Sequence, residues 1–217
     1  KSFYHKMLTK RIIPVLFIKN GWMVRCENFV KHQVLGEPKS HIKRLIEWNV
    51  DELILIDVSG NGDDFIEYHR NDYKQNPILT TEELLNLISI QTNIPVAFGG
   101  RIRSLRHIED RILNGADKVI INTASYVSPK LISDAAKIFG NQAIICAIDY
   151  KIENETNVVY IDSGKTKTKL NLKNYVEKLV DYGAGEIMLT NINLDGSAKG
   201  FDIDVLKEIS DSAVVPI

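Results

Sequence analysis

Six short apolar runs, rich in β-branched residues and spaced at even intervals, constrain this chain more than any other feature. They are Arg11–Lys19 (RIIPVLFIK), Glu52–Val58 (ELILIDV), Pro95–Gly100 (PVAFGG), Lys118–Asn122 (KVIIN), Ala143–Tyr150 (AIICAIDY) and Glu186–Thr190 (EIMLT). Runs this short and continuously apolar read as strands buried on both faces. Helical stretches lie between most of them: Ser40–Trp48, Thr81–Ile90, Ser104–Leu113, Pro129–Ile138 and Leu172–Tyr182. Gly115, Gly140 and Gly183 fall where helix C-termini are expected. Strands alternating with single helices run parallel and are joined by right-handed crossovers.

Two α/β architectures answer that pattern, a doubly wound open sheet and a (βα)8 TIM barrel. The first run leads into Lys19-Asn20-Gly21, which is not the Gly-rich turn of a dinucleotide-binding sheet. The expectation is therefore a single TIM-barrel domain over residues 1–217. A seventh run, Ala213–Ile217, begins and no eighth follows. An open parallel edge would expose backbone polar groups, so the natural protein is expected to continue past Ile217, its C-terminal part missing here.

Side chains alternate along a strand, so parity picks out one face. Arg11, Ile13, Val15, Phe17 and Lys19 share a face; so do Lys118, Ile120 and Asn122; Ile145, Ala147, Asp149 and Lys151; and Glu186, Met188 and Thr190. If these faces point inward, Lys19, Asn122, Asp149 and Thr190 gather at the C-terminal end, where barrel active sites lie. Arg11, Glu52, Lys118 and Glu186 each begin a strand and would ring the opposite end. The ring is either a solvated rim of salt bridges or a charged plug across an axial passage, since paired charges tolerate partial burial where single ones do not. The first and fifth runs also resemble each other, Val15–Lys19 (VLFIK) against Ala147–Lys151 (AIDYK). That suggests two duplicated half-barrels, with Phe17 where the second half has Asp149.

Composition narrows the function. Net charge is −1, so there is no basic surface for nucleic acid. No apolar run approaches the roughly 18–20 residues of a membrane span, and Lys1 to Arg11 lacks a signal-peptide core. The sequence thus reads as cytoplasmic, with neither membrane nor nucleic acid among its partners. His5, His32, His41, His69 and His107 show no metal spacing, and Cys26 and Cys146 no disulfide framework. No metal and no cofactor are expected. Cys146 reads as core, Cys26 as a loop thiol, and Trp22 and Trp48 as packing residues.

The ordered motifs KMLTKRIIPVLFIKNG (Lys6–Gly21), VDELILIDV (Val50–Val58), ADKVIINTAS (Ala116–Ser125), AIICAIDYK (Ala143–Lys151), SGKTKT (Ser163–Thr168) and DYGAGEIMLTNINLDGSAKGFD (Asp181–Asp202) resemble the HisF family, the cyclase subunits of imidazole glycerol phosphate synthase. The resemblance runs from Met7 to Ile217. It implies a (βα)8 barrel with a HisH-like glutaminase docked on its N-terminal face. Ammonia would cross the barrel and react at the top with a phosphorylated ribulosyl aminoimidazole carboxamide. Position by position, it implies an ammonia gate at Arg11, Glu52, Lys118 and Glu186, and a glutaminase contact at Asp117. It implies substrate-side positions at Asn122, Thr123, Ser163, Gly164, Lys165, Thr190 and Asp195, and a catalytic carboxylate at Asp149. Lys19 itself reads as closing over the site with its loop, or else as a solvated strand end.

Two departures alter what is expected. The family's first-strand catalytic Asp is Phe17 here, and a phenyl ring moves no proton. The family's three-glycine phosphate loop becomes Gly99-Gly100-Arg101, where Arg101 either adds a charge to the site or blocks it. Asp57 reads as structural, or else as a substitute acid or base. A polar stretch, Ser59–Leu79, is longer than the family's and belongs to the active-site face. HisF-like paralogues with a kept gate and an altered top occur beside amidotransferases that amidinate bacterial surface sugars. The favoured expectation is such an ammonia-delivering subunit, its partner at the top a phosphorylated small molecule or a sugar amidotransferase. The alternatives are a cyclase of histidine biosynthesis and a barrel that only docks and activates the glutaminase.

Overall fold

The computed structural model describes residues 10–60, 78, 80–91 and 93–217. Most of the stretch Ser59–Leu79, together with His5 and His69, lies outside them. Six strands form a parallel wall: β1 (Val15–Lys19), β4 (Leu53–Asp57), β5 (Val96–Gly99), β6 (Lys118–Ile121), β7 (Ile144–Glu153) and β10 (Glu186–Asn191). They pair in that order, each with the next. The Ile187 amide donates to the Pro216 carbonyl at 3.0 Å, so the seventh run starts beside β10. This is the mixed α/β, mostly parallel arrangement of a (βα)8 barrel wall.

The helices are α1 (Pro38–Glu47), α2 (Thr81–Gln91), α3 (Leu105–Leu113), α4 (Thr123–Val127), α5 (Lys130–Phe139), α6 (Leu172–Tyr182) and α7 (Ile203–Ser212). Their ends follow local chemistry. Ser104 accepts from the His107 amide ahead of α3, and Asn171 accepts from the Lys173 and Asn174 amides ahead of α6. Gly183 closes α6 at φ +109°, a left-handed conformation glycine adopts without strain.

Two antiparallel hairpins interrupt the alternation: β2 (Trp22–Glu27) with β3 (Lys31–Gly36), and β8 (Thr156–Ile161) with β9 (Thr166–Asn171). β2 folds back on β1, and β8 on β7. Both turns are two residues at positive φ, Asn20-Gly21 and Asn154-Glu155, the conformation that matches strand twist. The order strand, hairpin, helix, strand thus occurs twice, as β1–β2–β3–α1–β4 and β7–β8–β9–α6–β10. Cys26 is consequently a buried residue of β2 rather than a loop thiol, and Trp48, at the end of α1, is exposed rather than packed.

Parity separates three apolar clusters. Ile54, Ala97, Ile120, Ile145 and Ala147, with Ile13, Val15, Ile56 and Met188, fill the inside of the wall. Leu53, Leu55, Val96 and Phe98 pack outward against Leu84, Leu85 and Ile88 of α2. Ile144, Cys146 and Ile148 pack outward against α5 and α6. The inward rows are those the alternation predicted.

Asp202 fastens the last helix to the wall. Its carboxylate accepts from the Tyr150 hydroxyl (3.1 Å), the Asn191 side-chain amide (2.9 Å) and the Val205 amide. Tyr150 is buried, so Asp202→Ala removes a helix cap and also orphans a buried hydroxyl. The expected loss is about 2–3 kcal/mol in urea unfolding, above the ~1 kcal/mol of a cap alone.

Candidate functional site

The inward rows define a floor, an apolar column and a mouth. On the floor, Arg11 donates to Glu52 Oε2 at 2.8 Å and to Glu186 Oε1 at 3.4 Å. Lys118 Nζ lies 3.1 Å from Glu52 Oε1 and 2.8 Å from Glu186 Oε1. Each cation touches both anions, so the four charges alternate in a closed ring. Side-chain exposure is 2% for Glu52, 16% for Lys118, 19% for Glu186 and 43% for Arg11. A carboxylate as enclosed as Glu52 is tolerable only because two cations hold it. The ring is thus half-buried beneath the column of Ile13, Val15, Ile54, Ala97, Ile120, Ile145 and Met188. Next to it, Asp117 accepts from the Val96 amide at 2.8 Å and lines a cavity of about 320 Å³ with Pro95, Val96 and Gly115.

Above the column stand Phe17 and Asp149, on the inward rows of β1 and β7. Thr190 is Asp149's register partner on β10. Asn122, at the end of β6, donates its side-chain amide to Asp149 Oδ2 at 2.7 Å. Burial pushes the Asp149 carboxyl up to about 7; the Asn122 bond opposes this and the Asp195 charge adds to it. Such a group changes protonation near neutrality, as a general acid or base must.

The remaining mouth residues arrive from loops. Thr123 Oγ1 accepts from the Asp162 amide at 3.0 Å, which sets the turn Asp162–Lys165, with Ser163 and Gly164, beside the end of β6. Asp195 accepts from the Phe29 amide (3.3 Å) through its side chain and from the Asn28 amide (3.1 Å) through its carbonyl. It thereby seats the tip of the β2–β3 hairpin on the loop after β10. Lys19 Nζ meets His32 Nδ1 at 3.3 Å. Burial and the Lys19 charge hold that imidazole below its ordinary range.

The loop after β5 shows what Arg101 does. A Cβ on Gly99 would sit 2.9 Å from Ile120 and Ile56 side-chain atoms, and one on Gly100, at φ +100°, 2.1 Å from the Asp57 carbonyl. Arg101 itself has φ +58°. Its guanidinium lies on the helix side of the wall, 2.5 Å from Asp57 Oδ2 and 3.0 Å from Thr81 Oγ1. Asp57 shares the outward row of Leu53 and Leu55, so it is committed to Arg101 rather than to the barrel interior.

Sequence reasoning did not single out Tyr160 or Lys151 as site residues, nor His32 as a partner of Lys19. One signal was present: Asn20-Gly21 is a hairpin turn that folds β2 back on β1, and β3, which carries His32, pairs with β2 in turn. No helix of the described residues is long and apolar enough to cross a membrane, and they hold no cluster of metal-ligating side chains.

Comparison with known proteins agrees with this geometry. Residues 11–217 match the family described as histidine biosynthesis protein. The chain is 40% identical to the imidazole glycerol phosphate synthase subunit HisF of Chloroherpeton thalassium over 211 residues, 97% of this chain and 79% of the relative. It is 36% identical to the HisF subunit of Flavobacterium psychrophilum over 211 residues, with the same coverage. Identity to the Streptococcus mutans HisF subunit is 35% over 212 residues, again 97% and 79%.

Asp149 generates a signed prediction. A carboxyl moved from 3.8 to about 7 binds more protons folded than unfolded. Its contribution to stability is complete below pH 4 and is lost as pH rises through 7. Asp149→Asn is expected to raise unfolding free energy by about 2–4 kcal/mol at pH 8 and to change it little at pH 4. Urea titrations at the two pH values measure the difference.

Proposed function

Because the chain belongs to the HisF family of histidine biosynthesis proteins, we propose that it is the synthase subunit of a glutamine amidotransferase system. It takes ammonia from a HisH-like glutaminase at the floor and passes it to an acceptor at the mouth. The acceptor is an electrophile other than the imidazole precursor, in surface-sugar amidation. The observation that carries the reading is a closed charge ring beneath an apolar column that ends in one carboxylate facing Phe17. An apolar column favours neutral ammonia over ammonium, because burying an unpaired charge is costly. The ring lies at the floor of that column and can open by exchanging partners, since each charge already has two. Asp117, beside the 320 Å³ cavity, is the glutaminase contact. Asn122, Thr123, Ser163, Gly164, Lys165, Thr190 and Asp195, with Lys19, Gly99 and Gly100, form the acceptor side.

At the mouth, ammonia attacks through its lone pair and then sheds a proton. Asp149 in its carboxylate form takes that proton and returns it to the leaving group. Cyclisation of the imidazole precursor needs proton transfer at a second place, and Phe17 supplies none. Asp57 does not replace it, being paired to Arg101 outside the wall.

A second reading, the cyclase of imidazole glycerol phosphate synthase, rests on the names of the relatives. Ammonium-driven turnover of the imidazole precursor separates the two. The expected rate is about 10²–10⁴-fold below that of a HisF subunit with both carboxylates; full turnover establishes the second reading instead.

The ring has its own test in the reconstituted complex. Glu186→Gln keeps the shape and removes one charge. It is expected to depress glutamine-dependent product formation while leaving ammonium-dependent formation unchanged, because external ammonia enters from the mouth. An equal effect on both would make the ring a structural rim. No product from either nitrogen source, with glutaminase still activated, would leave a barrel that only docks its partner.

A further inference from the structure

Asn122 donates its side-chain amide to Asp149 inside the wall, while its own backbone is held from the helix side. The Asn122 carbonyl accepts twice from Ser125 of α4, from the amide at 2.9 Å and from the hydroxyl. The Ser125 hydroxyl also meets the Tyr175 hydroxyl of α6 at 2.8 Å. Ser125 and Tyr175 are both buried. A serine hydroxyl has one proton to give, and Ser125 gives it to the Asn122 carbonyl. The Tyr175 hydroxyl therefore donates to Ser125 Oγ. The bonds form a directed chain, Tyr175 to Ser125 to Asn122, and the Asn122 side chain continues it to Asp149 Oδ2 at 2.7 Å.

Each member stands on a different element. Ser125 lies in α4, whose first residue follows Asn122. Tyr175 lies near the start of α6, after the Asn171 cap, its ring edge-on to Tyr126 with centroids 6.4 Å apart. Asn122 itself has φ −110° and ψ −96°, values of neither strand nor helix. Its peptide plane is oriented instead by the two bonds on its carbonyl. Burial pushes the Tyr175 hydroxyl up to about 12, so it remains a donor at every pH at which Asp149 titrates.

We propose that Ser125 and Tyr175 are positioning residues for Asp149: acting through the Asn122 backbone, they aim the Asn122 amide at the carboxyl and keep its charged form supplied with a donor. The proposal rests on the reading that Asp149 handles the acceptor's proton, and it names what regulates that group. A hydrogen bond to the charged form favours it, so spoiling the aim raises the pH at which Asp149 titrates. The titratable groups on the same side of the wall are Lys151 on its own strand, Tyr160 on β8, Lys19 on β1 and Asp195 after β10. None of them bonds to Ser125 or Tyr175.

The test follows the Asp149 side-chain carboxyl carbon by NMR in the full chain, from about pH 5 to pH 10. The signal is assigned by its loss in Asp149→Asn. The unaltered chain is expected to titrate near 7. Asn122→Ala deletes the bond and should raise the midpoint by about 1–2 pH units, the size of a hydrogen bond to a charged group. Tyr175→Phe and Ser125→Ala should each raise it by roughly 0.5–1 pH unit, because the amide is misaimed rather than lost. Ser125→Ala also strands the Tyr175 hydroxyl; combining it with Tyr175→Phe leaves neither hydroxyl stranded and should give the same midpoint. Added to Asn122→Ala, Tyr175→Phe should move the midpoint no further. Thr168→Val removes another buried hydroxyl, bonded to the Val159 carbonyl at 2.8 Å. It should lower stability in urea and leave the midpoint in place. The proposal is overturned if Tyr175→Phe and the combined variant both titrate within roughly 0.2 pH unit of the unaltered chain, whatever their stability. It is equally overturned if Tyr175→Phe still moves the midpoint in Asn122→Ala, or if Thr168→Val moves it as far. No ammonia, acceptor or glutaminase enters the titration, so its failure leaves the proton-handling reading standing. Turnover that survives Asp149→Asn would sink that reading and leave the positioning intact.

Discussion

A carboxylate that is 98% enclosed cannot stay ionised in a protein interior unless something answers its charge, and Glu52, at 2% exposure, is the strictest case on the floor of this barrel. Two cations from separate strands answer it, and both also reach Glu186 from a fourth position in the wall. That requirement couples residues at or just before the starts of four strands to one another. A one-residue slip of any strand would turn its charge under the helices and bring a core residue into the ring. The ring therefore pins the register of the wall, and every inward position above it inherits that register: the apolar column, then Phe17, Asn122, Asp149 and Thr190 at the mouth.

The energetics of such a ring differ from those of a surface pair. An exposed ion pair contributes about 0–1 kcal/mol and is a poor determinant of structure. Removing one partner of an enclosed pair is costlier, because the other charge is stranded. Arg11, the most exposed member at 43%, is the one that can move while Glu52 remains held by Lys118. Without Lys118, Glu52 would be held by Arg11 alone, the more exposed cation; without Arg11, it would still be held by Lys118, which is 16% exposed.

The inward rows were legible in the sequence because they depend only on alternation, and alternation survives any loop. So were the four floor charges, since a charged residue at the start of an otherwise apolar strand has few places to go. The hairpins were not legible from the strand-and-helix pattern. Their outer strands, such as Lys31–Gly36 and Thr166–Asn171, alternate exposure and carry lysines and polar residues, so they lack the apolar continuity that marked the wall. Asn20-Gly21 was the one local signal for the first hairpin, and Asn154-Glu155, which also takes positive φ, carries no glycine to announce the second. What the hairpins bring was therefore hidden as well: His32 against Lys19, and Tyr160 beside Asp149. The partnership of Arg101 with Asp57 was hidden for a different reason. It joins a strand end to a loop 44 positions away in sequence, and only the side of the wall on which Asp57 stands decides it.

The mouth and the floor solve opposite problems with the same residue type. On the floor, burial of Glu52 is compensated by its contacts with Arg11 and Lys118, and the carboxylate serves structure. At the mouth, Asp149 is about as enclosed, yet its side chain accepts from the Asn122 amide and feels the negative charge of Asp195, with no ion pair to a cation among the described residues. Burial outweighs the Asn122 hydrogen bond and moves the group to about 7, which costs stability at neutral pH and places its proton exchange where a reaction can use it. Lys151 stands two residues along the same inward row, its Nζ 4.4 Å from the centre of the Tyr160 ring.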